Sequence, residues 1–386
     1  MLRSLPGSAA VVVIGGGVVG TSIAFHLVEA GVSDVVLLER DQLGSGSTCR
    51  AAGGVRAQFS DELNIALGAR SLEAFTRFGR RPGQEIDLHQ VGYLFLLSTS
   101  EDVAAFERDV ALQNELGVTS RMIDVDEVRR LSPLVDTDGL LAAAFSPDDG
   151  HCTPESVVLG YATGARGLGA VLLTGTTVLG IETRADRVTA VVTDQGTITA
   201  GAVICAAGAW SAAVGAMVGV SLPVSPLRRQ VMFTEPMPDL PPVVPFTIDF
   251  TTSLYFHREG PGLLLGMSDP EQRPGFFLDC SDEWLPRLGA AVEARVPRLL
   301  DVGLSTGWAG LYEVTPDHNA IIGRAEEPSN FFYATGFSGH GFLQAPAVGE
   351  VVRDLYLGRD PFVDIRPLSA QRFASKAGLR PETHIV

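Results

Sequence analysis

An apolar run, Ala9–Ile14, passes directly into Gly15-Gly16-Gly17-Val18-Val19-Gly20, and a second apolar run, Val35–Leu38, ends on Glu39. Strand, glycine turn, helix, strand and terminal acid in that order predict a βαβ unit that binds a dinucleotide. Gly15 permits the tight turn, Gly17 lets a pyrophosphate approach bare backbone, and Gly20 lets the helix lie close on the sheet. Val18 and Val19 begin the helix, whose free N–H groups and dipole favour phosphate. Glu39 can accept hydrogen bonds from both hydroxyls of an adenosine ribose and would repel a 2′-phosphate. NADP is therefore disfavoured, and these residues alone leave FAD and NAD open.

Length and composition narrow the class. At 386 residues the chain suits two domains, and 46% hydrophobic with 19% charged residues describes an ordinary globular core. A net charge of −16 argues against a nucleic-acid partner. Cys49, Cys152, Cys205 and Cys280 are widely spaced without a CxxC, which fits a reducing compartment and suggests neither zinc nor a disulfide framework; no metal is expected. Lys376 is the one lysine, so none stands in the body of the chain to act as base or oxygen-activating cation. The N-terminal apolar run contains the glycine fingerprint and so reads as strand and helix, not a signal peptide. No other apolar run reaches the ~20 residues of a membrane span. A soluble, cytoplasmic protein is the expectation.

Along the chain, helices are expected at about 18–30, 101–116, 154–167, 282–295 and from Gly341 to about 358, with a further one capped by Ser60 and Asp61. Gly92–Leu97, 170–173, 177–181, 202–210 and 331–336 read as strands, and 188–198 and 254–267 as hairpins. Pro223–Pro245 is proline-rich and reads as a crossover. The expected architecture is α/β: a discontinuous Rossmann-like nucleotide domain from 1–88, 148–220 and 305–386, and a mostly antiparallel β-sheet plus helices forming a substrate domain from 89–147 and 221–304.

Five blocks in order resemble the FAD-dependent amine oxidoreductases of the D-amino-acid oxidase family, nearest its sarcosine oxidase, glycine oxidase and proline dehydrogenase β-subunit branch. They are the fingerprint through Glu39-Arg40, Gly46-Ser47-Thr48 through Ala52-Gly53-Gly54-Val55-Arg56, Cys205–Ser211, Gly310–Asp317 and Gly336–Phe342. The resemblance selects FAD over NAD, because a nicotinamide enzyme has no use for the Gly339-His340-Gly341 turn. That turn offers N–H groups and dipole for charge left on a reduced flavin ring. The implied cofactor contacts are Gly15, Gly17, Val18, Val19, Gly20, Glu39, Arg40, Ser47, Thr48, Ala52, Gly53, Gly54, Val178, Ala207, Gly208, Trp210, Gly310, Gly339, His340, Gly341, Phe342 and Leu343.

Arg56 occupies the position where sarcosine oxidases hold the substrate carboxylate, the alternatives being a flavin phosphate or a surface acid. Tyr255 and Tyr312 are similarly placed to line the substrate side, or are half-buried strand residues. His340 reads as a residue that positions backbone or meets the ring edge, with proton transfer as the alternative. Three departures qualify the resemblance. Gly310 replaces the cysteine that attaches flavin covalently, so FAD is expected to be non-covalent. Leu264 replaces the oxygen-activating lysine, which favours a dehydrogenase over an oxidase. Leu343 replaces a second carboxylate-binding lysine, which leaves Arg56 as the expected anchor.

The expected reaction is oxidation of an amine or amino acid to its imine by hydride transfer to flavin N5. Three alternatives stand beside it: the β-subunit of a hetero-oligomeric amine dehydrogenase with a partner subunit, an FAD-bound assembly factor without turnover, and an oxidase in which another cation replaces the missing lysine. Substrate identity and handedness, electron acceptor and oligomeric state are not encoded legibly.

Overall fold

The computed structural model describes residues 5–374 and 379–385; Lys376 lies outside them. The elements that build the site are, in chain order, strand β1 (Ser8–Ile14), helix α1 (Val18–Glu29), β2 (Val35–Leu38), β3 (Tyr93–Leu97), α2 (Pro154–Gly167), β4 (Gly196–Cys205), β5 (Ser225–Thr234), β6 (Tyr255–Glu259), β7 (Gly262–Met267), β8 (Leu304–Val314), β9 (Phe331–Thr335) and α3 (Gly341–Leu357). A first sheet runs Ile321–Arg324, β9, β4, β1, β2, Val171–Leu173, with the hairpin Val178–Arg184/Arg187–Thr193 appended to β4. β9, β4, β1, β2 and Val171–Leu173 pair in parallel. Their Val/Ile/Leu runs are buried on both faces, as parallel strands covered on each side must be. Helix α1 is buried all round apart from Glu29, because α2 and α3 pack against it. Ser22 Oγ donates to Ala345 O of α3 at 2.8 Å, and a side chain on Gly349 would collide with Ser22 and His26.

The second sheet has the order β8, β5, β7, β6, Phe246–Asp249, β3, Ala142–Ser146, Arg121–Ile123. All its pairs are antiparallel except β3 with Phe246–Asp249. Two sequence expectations need correction here. The segment 223–245 is not a plain crossover: ten of its residues form β5, held between β8 and β7. Pro226 is tolerated because β7 pairs only with 230–233, so the proline faces no missing partner on that side. The boundary expected at 305 falls inside β8, whose full length pairs with β5 in the second sheet. The chain leaves that sheet only after Val314, through Thr315–Ala320, to reach Ile321–Arg324 of the first. Three further strands, Arg121–Ile123, Ala142–Ser146 and Phe246–Asp249, carried no legible alternation and were not anticipated.

Candidate active site

One long cavity runs between the two sheets. At one end the chain turns from β1 into α1. Gly15 has φ +112°, and a Cβ there would collide with Ala206 O. At Gly20 a Cβ would strike the carbonyl of Gly15, so the third glycine is required by the turn itself. Gly20 accordingly lies off the cavity wall and supports the site indirectly. Gly17 is the N-cap of α1 and has no capping side chain. Thr48 Oγ1 accepts the Val18 N–H at 3.1 Å, and the N–H of Val19, which borders the cavity, has no helical acceptor. Glu39 closes the end of β2. Its Oε2 accepts the Gly16 N–H at 2.7 Å and its Oε1 that of Asp41 at 2.8 Å, which fixes the carboxylate on the cavity wall. The Arg40 guanidinium sits 3.9 Å from the Trp210 ring, and both line the same wall with Val178, Ala207 and Gly208. Ser47, Thr48, Ala52, Gly53 and Gly54 form the next stretch. Burial lifts the Cys49 thiol to about 11, so it is an inert filler in this loop.

Farther along, β9 enters the turn Gly336–His340 and starts α3. Gly339 has φ +103° and lets the Tyr312 ring approach its bare Cα, 2.5 Å from where a Cβ would sit. His340 is the N-cap without a side-chain cap bond, and the first intrahelical bond is Gln344 N–H to His340 O at 3.1 Å. The N–H groups of Gly341, Phe342 and Leu343 thus have no helical acceptor, and all three residues border the cavity. Glu313, unassigned by sequence, holds this turn in place: its carboxylate accepts Gly336 N–H at 2.9 Å and Thr335 Oγ1–H at 2.8 Å. Burial raises its pKa. Gly310 faces the cavity from β8, where a Cβ would meet that of Arg50 at 3.0 Å.

Beyond the turn the wall is aromatic. Tyr93, Phe246, Tyr255 and Tyr312 line it with Arg56 and Arg229. Each tyrosine is seated on a glycine: Tyr93 OH lies 2.7 Å from the Cβ position of Gly54, Tyr255 overlies Gly266, and Tyr312 overlies Gly339. Burial raises the pKa of all three phenols, so they are neutral O–H groups. Tyr93, Phe246 and Arg229 were missed by sequence reading; Arg229 sits in the segment read as a crossover.

Arg56 is present at this end and deeply buried, but its N–H groups are largely committed. Nη1 donates to Gln58 O; Nη2 donates to His340 Nε2 at 3.1 Å and to His384 O at 2.6 Å. The guanidinium lies 4.3 Å from the Phe59 ring centre and 5.4 Å from that of Phe95. A two-pronged carboxylate clamp, expected from its sequence position, would have to displace these partners. The same contacts decide the state of His340. Arginine can only donate, so Nε2 must accept and the ring proton resides on Nδ1. Burial, and next the Arg56 charge, lower the His340 pKa to about 3. His340 is therefore a neutral ring whose Nε2 is occupied, and it does not serve as a proton acceptor there. Leu264, expected beside the ring, does not border this cavity. It lines a second, adjoining one with His89, His151, Arg258 and Trp308, which shares only Ala51 and Ala52 with the first.

Two uncapped helix starts opening on one glycine-walled cavity, with an acid fixed at the end of β2, fit an extended flavin dinucleotide. Glu39 and the start of α1 would hold the adenosine and pyrophosphate, and the start of α3 the ring. The model for FAD-dependent oxidoreductases matches residues 10–355. The chain belongs to this DAO family. L-Proline dehydrogenase from P. horikoshii superposes with a TM-score of 0.90 at 34% identity, covering 96% of this chain and 99% of that one. Rat (Rattus norvegicus) mitochondrial dimethylglycine dehydrogenase is 32% identical over 95% of this chain and 45% of its own length. The formaldehyde-forming 4-methylaminobutanoate oxidase of Paenarthrobacter nicotinovorans is 30% identical over 96% of this chain and 46% of its own. The chain thus spans less than half the length of these curated relatives. Among the described residues no helix is long and apolar enough to cross a membrane, and no cluster of acids, histidines or cysteines could hold a metal.

Proposed function

We propose that this chain oxidises the C–N bond of an amino acid or N-alkylated amino acid to the imine, as a dehydrogenase with non-covalently held FAD. The observation that carries the reading is the single cavity onto which both helix starts open, ending in a wall of phenols and guanidinium. Bound FAD would supply the hydride acceptor for the substrate C–H bond. The protein's part is positioning and electrostatics. The N–H groups of Gly341–Leu343 offer fixed donors to an anionic ring edge, and Glu313 keeps the turn that carries them from relaxing. The tyrosines on their glycine seats exclude water from the reacting end. Gly310 supplies no nucleophile for a covalent link.

The named activities of the relatives agree with this chemistry: a dimethylglycine dehydrogenase, a 4-methylaminobutanoate oxidase and an L-proline dehydrogenase all act on amine-bearing acids. Among the described residues no lysine lines the flavin cavity, which supports dehydrogenase over oxidase. The test is anaerobic mixing of the yellow holoprotein with a panel of amino acids and N-methyl amino acids. Bleaching by at least one is expected. A protein that takes up no FAD, or whose colour no amine discharges, does not do this chemistry.

A further inference from the structure

We infer that Arg229 is the cation that receives the substrate carboxylate; the inference rests on the amine-oxidising reading above and specifies its substrate as an amine that bears an acid. Arg229 lies on β5 directly opposite Gly310 of β8, so both side-chain positions face the same way. Its guanidinium is 5.1 Å from the Tyr312 ring centre, and it shares the cavity with Tyr93, Tyr255 and Tyr312. Among the described residues its one hydrogen bond is Nη1 to Arg228 O at 3.3 Å, and its buried Nε has no partner. No described carboxylate pairs with it. The neighbouring Arg228 is spent elsewhere, on Gln272 Oε1 at 2.7 Å and Asp279 O at 2.9 Å.

A buried guanidinium N–H without an acceptor is costly, about 1–3 kcal/mol, unless something arrives to meet it. What arrives must carry an acceptor, because a guanidinium N–H can only donate, and the neighbouring phenols can donate to the same acceptor. The hydroxyls of Tyr93, Tyr255 and Tyr312 have no hydrogen-bond partner among the described residues, and burial keeps them protonated. Glu313, the carboxyl on this stretch of wall, is already bonded to Gly336 and Thr335. A buried, unpaired positive charge flanked by phenol O–H groups selects an anion, and a bidentate guanidinium selects a carboxylate. Arg56 has three N–H contacts to protein already in place, so its role is to hold Gln58, His340 and residue 384 together.

The experiment titrates FAD-loaded protein with methoxyacetate, an unoxidisable acid, and with uncharged methoxyacetamide, following the visible flavin bands. The wild type should respond to the acid and not to the amide. R229Q, checked for unchanged FAD content and melting temperature, should bind methoxyacetate about 10- to 100-fold more weakly, as expected for losing hydrogen bonds to a charged group. R229K should recover part of the loss. For any amino acid that bleaches the wild type, KM should rise more than kcat falls in R229Q. Methoxyacetate affinity within threefold of wild type in R229Q overturns the assignment. So does a wild type blind to methoxyacetate. In that second case, bleaching by an amine leaves the proposed function standing and removes Arg229 alone, whereas no bleaching removes both.

Discussion

Asp149 shows how a single buried carboxyl ties stability to pH. Its Oδ1 accepts the Ala57 N–H at 3.1 Å, and it has no exposure to water. Burial raises its pKa from 3.8 to about 7, with the Ala57 bond and the nearby Arg56 charge only partly opposing that. A carboxyl raised in the folded state takes up a proton on folding. Its stability contribution is complete below the unfolded pKa near 3.8 and is lost as pH climbs through 7, by a few kcal/mol at ~1.4 kcal/mol per unit. Buried His26, His151 and His340, each lowered to about 3, act in the opposite sense below pH 6.5, so the comparison must be between variants. D149N keeps an acceptor for Ala57 and cannot ionise. Its melting temperature relative to wild type should therefore be several degrees higher at pH 8 than at pH 4.5; an unchanged difference would show that Asp149 titrates normally. Residue roles of this sort were half-legible. Arg56 stood out by its place among the glycines, but its partner is a carbonyl 328 residues away. No local pattern encodes that.

Elements were legible wherever local chemistry and burial agreed. Helix α2 begins at Pro154 behind Thr153 and ends at Gly167, as expected from proline's preformed φ. Helix α3 stops at Gly358, whose φ of +66° only glycine adopts cheaply. Strand β5 was hidden because Pro223 precedes it and Pro226 lies within it, and only its neighbours β7 and β8 make it a strand. The β1–α1 turn permits a sharp test. G20A places a methyl group against the Gly15 carbonyl, so turn and helix must separate, at about 3 kcal/mol by analogy with overpacked cores. Denaturant unfolding should show that loss, together with FAD that washes away on gel filtration. G31A is the control. Gly31 also has positive φ, +89°, but nothing lies within 4 Å of its Cβ position, so it should lose about 1 kcal/mol and keep its flavin.

At the scale of the molecule, the two sheets face each other across the cavity, and the α/β-plus-antiparallel division was legible although its boundary at 305 was not. Among the described residues no lysine lines this cavity, so flavin reduced by substrate should react with air tens- to a hundredfold more slowly than with an artificial dye, the order expected when that charge-stabilising group is absent. Stopped-flow reoxidation and a peroxide assay measure this, and stoichiometric peroxide at dye-like rates would make the chain an oxidase. The packing of α1 has a consequence for biosynthesis. Strand β1 needs β4 as its neighbour, and α1 needs α3, whose residues are translated more than 300 positions later. The dinucleotide motif made first therefore waits, apolar and unshielded, until residues past 340 leave the ribosome. Such distant pairing is slow and exposes the nascent chain to aggregation, so cofactor loading waits for the synthesis of α3.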